Sequence, residues 1–247
     1  MLSFLSMKVF LVALALMFVL PIAFAAGQSE RPADVPWYAA RRDSSGQAPD
    51  PKTTKEAVIQ AYAARAVGWR RALAVHTWIV VKPAGADRYS RYEVMGWGVG
   101  NGAPAVRVDR TGPDNYWFGA HPELLLDLRG PAAEALVEKV KAAVERYPYP
   151  NSYVTWPGPN SNTFTAFVAR EVPELGLALP PTAIGKDFIG FTPFGAAPSG
   201  TGLQLSLFGL AGLTVAMKEG LELNLLGFTF GVSAFPPTLK LPGIGSI

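Results

Sequence analysis

The residues best placed to do chemistry lie in Trp156-Pro157-Gly158-Pro159-Asn160-Ser161-Asn162-Thr163-Phe164. Pro and Gly make a rigid loop that delivers four small polar residues to a predicted helix start. Phe164, Phe167, Val168 and Val172 then follow the i, i+3, i+4, i+8 stripe of a buried helix face. A side-chain oxygen at such a start lies beside unpaired backbone N–H groups and the positive end of the helix dipole. Ser161 is therefore either a helix cap or a nucleophile, and both readings stay open. General-base work near neutral pH falls most naturally to histidine. The chain has two, His76 and His121. His76 sits in an apolar run, where a base is held rigidly but a merely structural histidine also fits. His121 precedes Pro122 and reads as exposed. The two have no metal-ligand spacing, so neither a metal site nor a cofactor is expected.

Several elements must position these groups. Leu73 to Val81, rich in β-branched and aromatic residues, reads as a central strand carrying His76. Arg88 to Gly98 alternates, with Tyr89, Arg91, Glu93 and Met95 opposed to Tyr92, Val94 and Gly96. Asn101-Gly102 signals a hairpin turn, and Ala105 to Asp109 is the return strand. Gly98-Val99-Gly100-Asn101-Gly102 is followed by Pro104 and opens no helix, so it does not read as a phosphate loop. Thr53 and Glu56 have capping-box spacing, which predicts a helix to about Val67 with Val58, Ile59, Tyr62 and Ala63 inward. Arg110 to Gly130 reads as a loop. Pro131 opens a second helix with Ala135, Leu136, Val140 and Val144 inward. The aromatic loop Tyr147-Pro148-Tyr149-Pro150-Asn151-Ser152-Tyr153 then leads to the Ser161 stretch. It either floors a ligand pocket or packs over the edge of the core.

The 247 residues are enough for one good core with an appendage. Apolar residues make up 49% and charged residues 17%, which excludes a disordered chain. A net charge of +3 leaves no footprint for nucleic acid. There is no cysteine, which excludes disulfides, thiolate chemistry and a lipidated N-terminal Cys. Lys8, the apolar run from Val9 to Leu20 and Ala23-Phe24-Ala25 have the form of an export signal. Val9 to Ala26 is nearly long enough to be an uncleaved anchor instead. Residues 26–52 are polar and Pro-rich and read as a tether, with Trp37 and Tyr38 able to dock. Beyond Pro180-Pro181, Gly202 to Gly209 is echoed by Gly220 to Gly227, 18 residues later. These read as related strands of a β-meander, with Leu203, Leu205, Leu221 and Leu223 on an inner face. The apolar surplus leaves room for membrane-surface contact or homo-oligomerisation through these strands.

Several motifs together resemble an uncharacterised bacterial envelope family, domain of unknown function 3750. They are Val75-His76-Thr77-Trp78-Ile79, Arg91-Tyr92-Glu93-Val94, the two stretches from Tyr147 to Phe164, and Pro180-Pro181-Thr182-Ala183-Ile184-Gly185-Lys186-Asp187. Asn160-Ser161-Asn162-Thr163-Phe164-Thr165 is also similar to the Asn-Cys-Asn-x-Phe-Thr helix start of circularly permuted papain-like hydrolases, in which the His strand precedes the nucleophile helix. That resemblance implies His76 as base, Ser161 in the thiol's place and Glu93 as the group that orients the imidazole. Ser in place of Cys weakens the catalytic implication, because a hydroxyl is far harder to ionise. The expected fold is α+β: an antiparallel sheet with packed helices in a permuted papain-like core over residues 53–190, and a β appendage over 191–247. Asn160, Asn162, Thr163, Trp156, Tyr149 and Tyr153 are the expected ligand contacts. The expected protein is periplasmic, or on the periplasmic face of the inner membrane, with a groove that binds an envelope peptide, glycan or lipid. The alternative is a serine-dependent hydrolase or acyltransferase on peptide, peptidoglycan or lipid-linked bonds. A reporter fused after Gln60 should be active outside the cytoplasm; activity confined to the cytoplasm would remove the envelope reading.

Overall fold

A computed structural model describes residues 4–28 and 36–247. The fold is α+β, with two antiparallel sheets and three α-helices among the described residues. The apolar helix α1 (Phe4–Gln28) comes first. The first sheet comprises β1 (Val58–Arg65), β2 (Val75–Lys82), β3 (Ser90–Val94), β4 (Val106–Val108) and β5 (Glu123–Arg129), in the order β4-β3-β2-β1-β5. Helices α2 (Gly130–Glu145) and α3 (Ser161–Glu171) cover one face. The second sheet holds β6 (Phe194–Ala196), β7 (Gly202–Leu207), β8 (Ala211–Ala216), β9 (Gly220–Leu225), β10 (Phe228–Ala234), β11 (Pro237–Leu241) and β12 (Gly245–Ser246), all in sequential order as a meander.

The helix expected from Thr53 to Val67 is instead β1. Its residues alternate between two cores: Ile59, Ala61 and Ala63 face the helices, while Val58, Tyr62 and Ala64 face the other side. Buried on both faces, such a strand is mostly apolar, with Gln60 the buried exception, and its Ala and Tyr spacing mimics a helical stripe. Pairing with β2 over eight residues and with β5 on its other side overrides the local preference. The region expected as a loop from Arg110 to Gly130 contains β5, an edge strand. The Asn-Gly turn is a short 3₁₀ segment, Val99–Asn101, flanked by Gly98 and Gly102, both at positive φ. The Pro-rich stretch after α1 is fastened to the domain by Asp114, whose carboxylate accepts from Ser44, Ser45 and the Gln47 and Ala48 amides.

The meander corrects a further expectation. Leu203, Leu205, Leu221 and Leu223 point outward, not inward. The inward face carries Gln204, Thr214, Glu222 and Lys240, in register across the strands around Gly231. It docks on the segment after α3. Lys186 and Lys240 clasp the Glu222 carboxylate, with Lys240 at 2.6 Å. Asp187 accepts from Gln204 and Asn224, and Arg170 reaches both Gln204 and the Lys186 carbonyl. Burial resists the charge on Glu222, but the two ammonium groups outweigh it and hold the carboxyl below its usual range. Burial likewise resists the charge on Lys186, and Asp187 and Glu222 outweigh it, so its pKa is raised.

Glu222→Gln would leave two buried ammonium groups short of a counter-charge and should cost about 3–5 kcal/mol in denaturant unfolding. Because folded Glu222 titrates below its unfolded value of about 4.3, its contribution is complete above that pH and is lost as pH falls through the folded value. The acid limb of stability against pH should therefore flatten in Glu222→Gln. An unchanged limb would show that the pair does not hold the sheet.

Candidate functional site

Ser161 is the first residue of α3, and the residue before it makes the cap. The Asn160 side chain accepts from the Asn162 and Thr163 amides at 3.0 and 3.1 Å. The Thr163 hydroxyl in return accepts from the Asn160 amide at 3.1 Å, completing a capping box. The Asn160 NH₂ donates to the Thr155 and Ile184 carbonyls. Asn162 is equally committed: its NH₂ reaches the Val75 and Ile184 carbonyls, and its oxygen accepts from Thr77. These bonds fix the helix start to β2 and to the 182–186 turn. The Ser161 hydroxyl has no hydrogen-bond partner among the described residues, and Ser161 lines a cavity. Of the amides at this helix start, those of Asn162, Thr163 and Phe164 are taken within the turn, leaving the Ser161 N–H.

That cavity has a volume of about 540 Å³. It opens where β2 and β3 part: the two strands pair only from Ile79 to Val81, and Val75 and His76 stand apart from Val94 and Gly96. His76 lines it as well. Side chains alternate along β2, so Thr77 faces α3 whereas His76 faces the Trp117 side of the sheet. Ser161 and His76 thus share one cavity without a hydrogen bond between them.

His76 is held on two sides. Its ring stacks on Trp117 at 3.8 Å and 6°, and Trp97 stacks behind Trp117. Its Nε2 lies 2.8 Å from Glu93 Oε2, an oxygen that also accepts from Arg91 at 2.9 Å. Burial raises the Glu93 pKa, but the His76 hydrogen bond and the Arg91 charge more than reverse this and keep it a carboxylate. An ionised Glu93 can only accept, so Nε2 carries the proton and Nδ1 keeps its lone pair. Burial lowers the His76 pKa, against the opposing pull of Glu93, so the ring is neutral near pH 7. The arrangement is a neutral imidazole, oriented by a carboxylate, with no hydrogen-bond partner for its basic nitrogen among the described residues.

Trp156 and Tyr153 line the cavity, as do Asn160 and Asn162, although those two amides spend their polar atoms within the protein. Thr163 and Tyr149 do not line it; Thr163 donates to the Gly185 carbonyl, and Tyr149 packs on Tyr147 and Phe188. Sequence reasoning missed Trp97, Trp117, Trp69 and Arg70 in the wall, and Arg91 as the partner of Glu93. The Arg91-x-Glu93 spacing was the available signal for that pair, since it puts both on one face of a strand.

The family described as "Protein of unknown function (DUF3750)" matches residues 56–188. The chain belongs to that family. No curated protein matched the chain, and no solved structure matched it. The DUF3750 segment contains the five-stranded sheet, α2, α3, Ser161, His76 and Glu93, and it ends at the Lys186-Asp187 anchor of the meander. Of the residues lining the cavity, Phe228 alone lies outside it.

Because Asn160 is the cap, Ser161→Ala should leave the denaturation midpoint within about 0.5 kcal/mol of wild type, whereas Asn160→Ala should cost about 1–2 kcal/mol. The reverse order would return Ser161 to a structural role.

Proposed function

We propose that this chain is an exported envelope protein whose cavity binds a lipid-linked ligand. The observation that carries this reading is where the cavity lies. Phe228 of β10 lines it, and so does Leu73, which sits beside Ala25 of α1 near Gly243. An acyl chain lying along α1 could enter without crossing water. Inside, Trp97, Trp156 and Tyr153 offer apolar area, while Ser161 and His76 offer a hydroxyl and an imidazole for a polar head. The volume is in the range that holds a small ligand. The permuted papain-like resemblance supports a groove at this helix start.

A second reading, a serine hydrolase or acyltransferase, is favoured by the carboxylate-oriented His76. There Ser161 Oγ would attack an ester or amide carbonyl while its proton passes to His76 Nδ1. The Ser161 N–H would face the developing oxyanion, and the leaving group would take the proton back from the imidazole. Binding is preferred because Ser161 and His76 share no hydrogen bond.

The full chain, purified in detergent, should retain an amphiphile detectable by mass spectrometry of its organic extract. Ala74→Trp, which fills the cavity, should lose it, whereas the outward-facing Val215→Ala should keep it. Equal amounts in both variants would refute binding in the cavity. A serine-reactive phosphonate separates the two readings: labelling abolished by both Ser161→Ala and His76→Ala supports hydrolysis, and absence of labelling in a chain that retains lipid supports binding.

A further inference from the structure

The second sheet is turned inside out. One row of side chains, Phe194, Leu205, Leu213, Leu223 and Phe230, runs in register across β6 to β10 on its outward face. A second row runs Ala196, Leu203, Val215, Leu221, Val232 and Leu239, across β6 to β11. Neither row contains a polar or charged residue. Leu203, Val215 and Leu221 are at least half exposed, at 74%, 55% and 50%. The opposite face is polar and spent on the ion-pair network. Strands about 4.8 Å apart make this a surface over 20 Å wide, far beyond the scattered apolar residues of an ordinary soluble surface.

Helix α1 borders one edge of this face. Phe18 of α1 packs on Phe230, the end of the first row, with ring centroids 6.3 Å apart. Ala25 packs near Gly243, just past β11. Seven residues of helix, about 10 Å, therefore run beside this sheet. From Met7 to Gly27 the helix is apolar enough to cross a bilayer, with a mean hydropathy of 2.8, and only 12% of that span is buried in the protein. The medium that solvates the rest of the helix also meets the sheet beside it.

We propose that α1 remains attached and that the outward face of the second sheet lies face-on in the hydrocarbon of the bilayer α1 enters. Inserted this way, the sheet gives its apolar rows to acyl chains, and its two edge strands stay near headgroup level, where water and lipid phosphate can satisfy their free amides. The part of the cavity wall that Phe228 of β10 forms then lies close to the same level.

The chain has no cysteine, so a single introduced thiol can be spin-labelled without background. Leu205→Cys, Leu213→Cys and Leu221→Cys, on three separate strands, are made in the full chain with Asp87→Cys as an exposed polar reference. Each is reconstituted in vesicles of phosphatidylethanolamine and phosphatidylglycerol. Collision with oxygen, which concentrates in hydrocarbon, is compared with collision with a water-soluble nickel chelate. The three outward labels should shift towards oxygen and away from nickel, and Asp87→Cys should do the reverse. Nickel access at the outward positions would overturn the proposal. So would exclusion of both reagents with spin–spin broadening, which would make the face an interface between copies of this chain. Each label replaces an exposed side chain, and flotation of each labelled protein with its vesicles on a density gradient shows that reconstitution succeeded. Quenching of Leu213→Cys carrying a fluorophore by bromine on the lipid chains is an independent second readout; its absence would also overturn the proposal.

Discussion

The carboxylate of Glu222, buried between Lys186 and Lys240, is the contact on which the arrangement of the two sheets depends. Desolvating one carboxylate and two ammonium groups is expensive, and their mutual attraction offsets it only when every charge has a partner. Asp187 supplies the remaining charge beside Lys186 and is itself held by Gln204 and Asn224. The network commits the polar side of each meander strand to the interior. Since strand side chains alternate, the apolar side of every strand is then forced outward.

The same logic operates at the helix start. A helix terminus leaves amides unpaired, and Asn160 meets two of them while tying the loop before it and the turn after it together. Asn162 does the same against β2. With these two side chains committed, Ser161 is held rigidly by its neighbours while its own hydroxyl stays available. Rigid placement of an unengaged polar group in the same cavity as an oriented imidazole is the property a binding or reacting site needs.

The cavity itself follows from an interruption in the first sheet. Where β3 stops pairing with β2, the aromatic groups of Trp97, Trp117 and Tyr153 fill part of the gap and leave the rest open. Trp117 contributes twice, since its indole both walls the cavity and stacks against His76. Arg91 lies over Trp78 at 4.0 Å and donates to Glu93, so the charge that keeps Glu93 ionised is itself buttressed by the sheet.

The sequence by itself determined the α+β class, the strand bearing His76, α2, the start of α3 and the repeat that became β7 and β9. Each rests on a local pattern: a run of β-branched residues, a 3.6-residue stripe, a proline at a helix start, an alternation of Leu with polar residues. Only the tertiary structure decided what depended on partners far along the chain. Val58 to Arg65 became a strand because β2 and β5 offered it ladders on both sides. The cap fell to Asn160 over Ser161 because Asn160 could also reach Thr155 and Ile184. The polarity of the meander was decided in the same way. Alternation shows that a strand has two unlike faces, but which face turns inward depends on the medium outside and on the charges waiting inside. Here Lys186 and Asp187 wait inside, and the leucines face out.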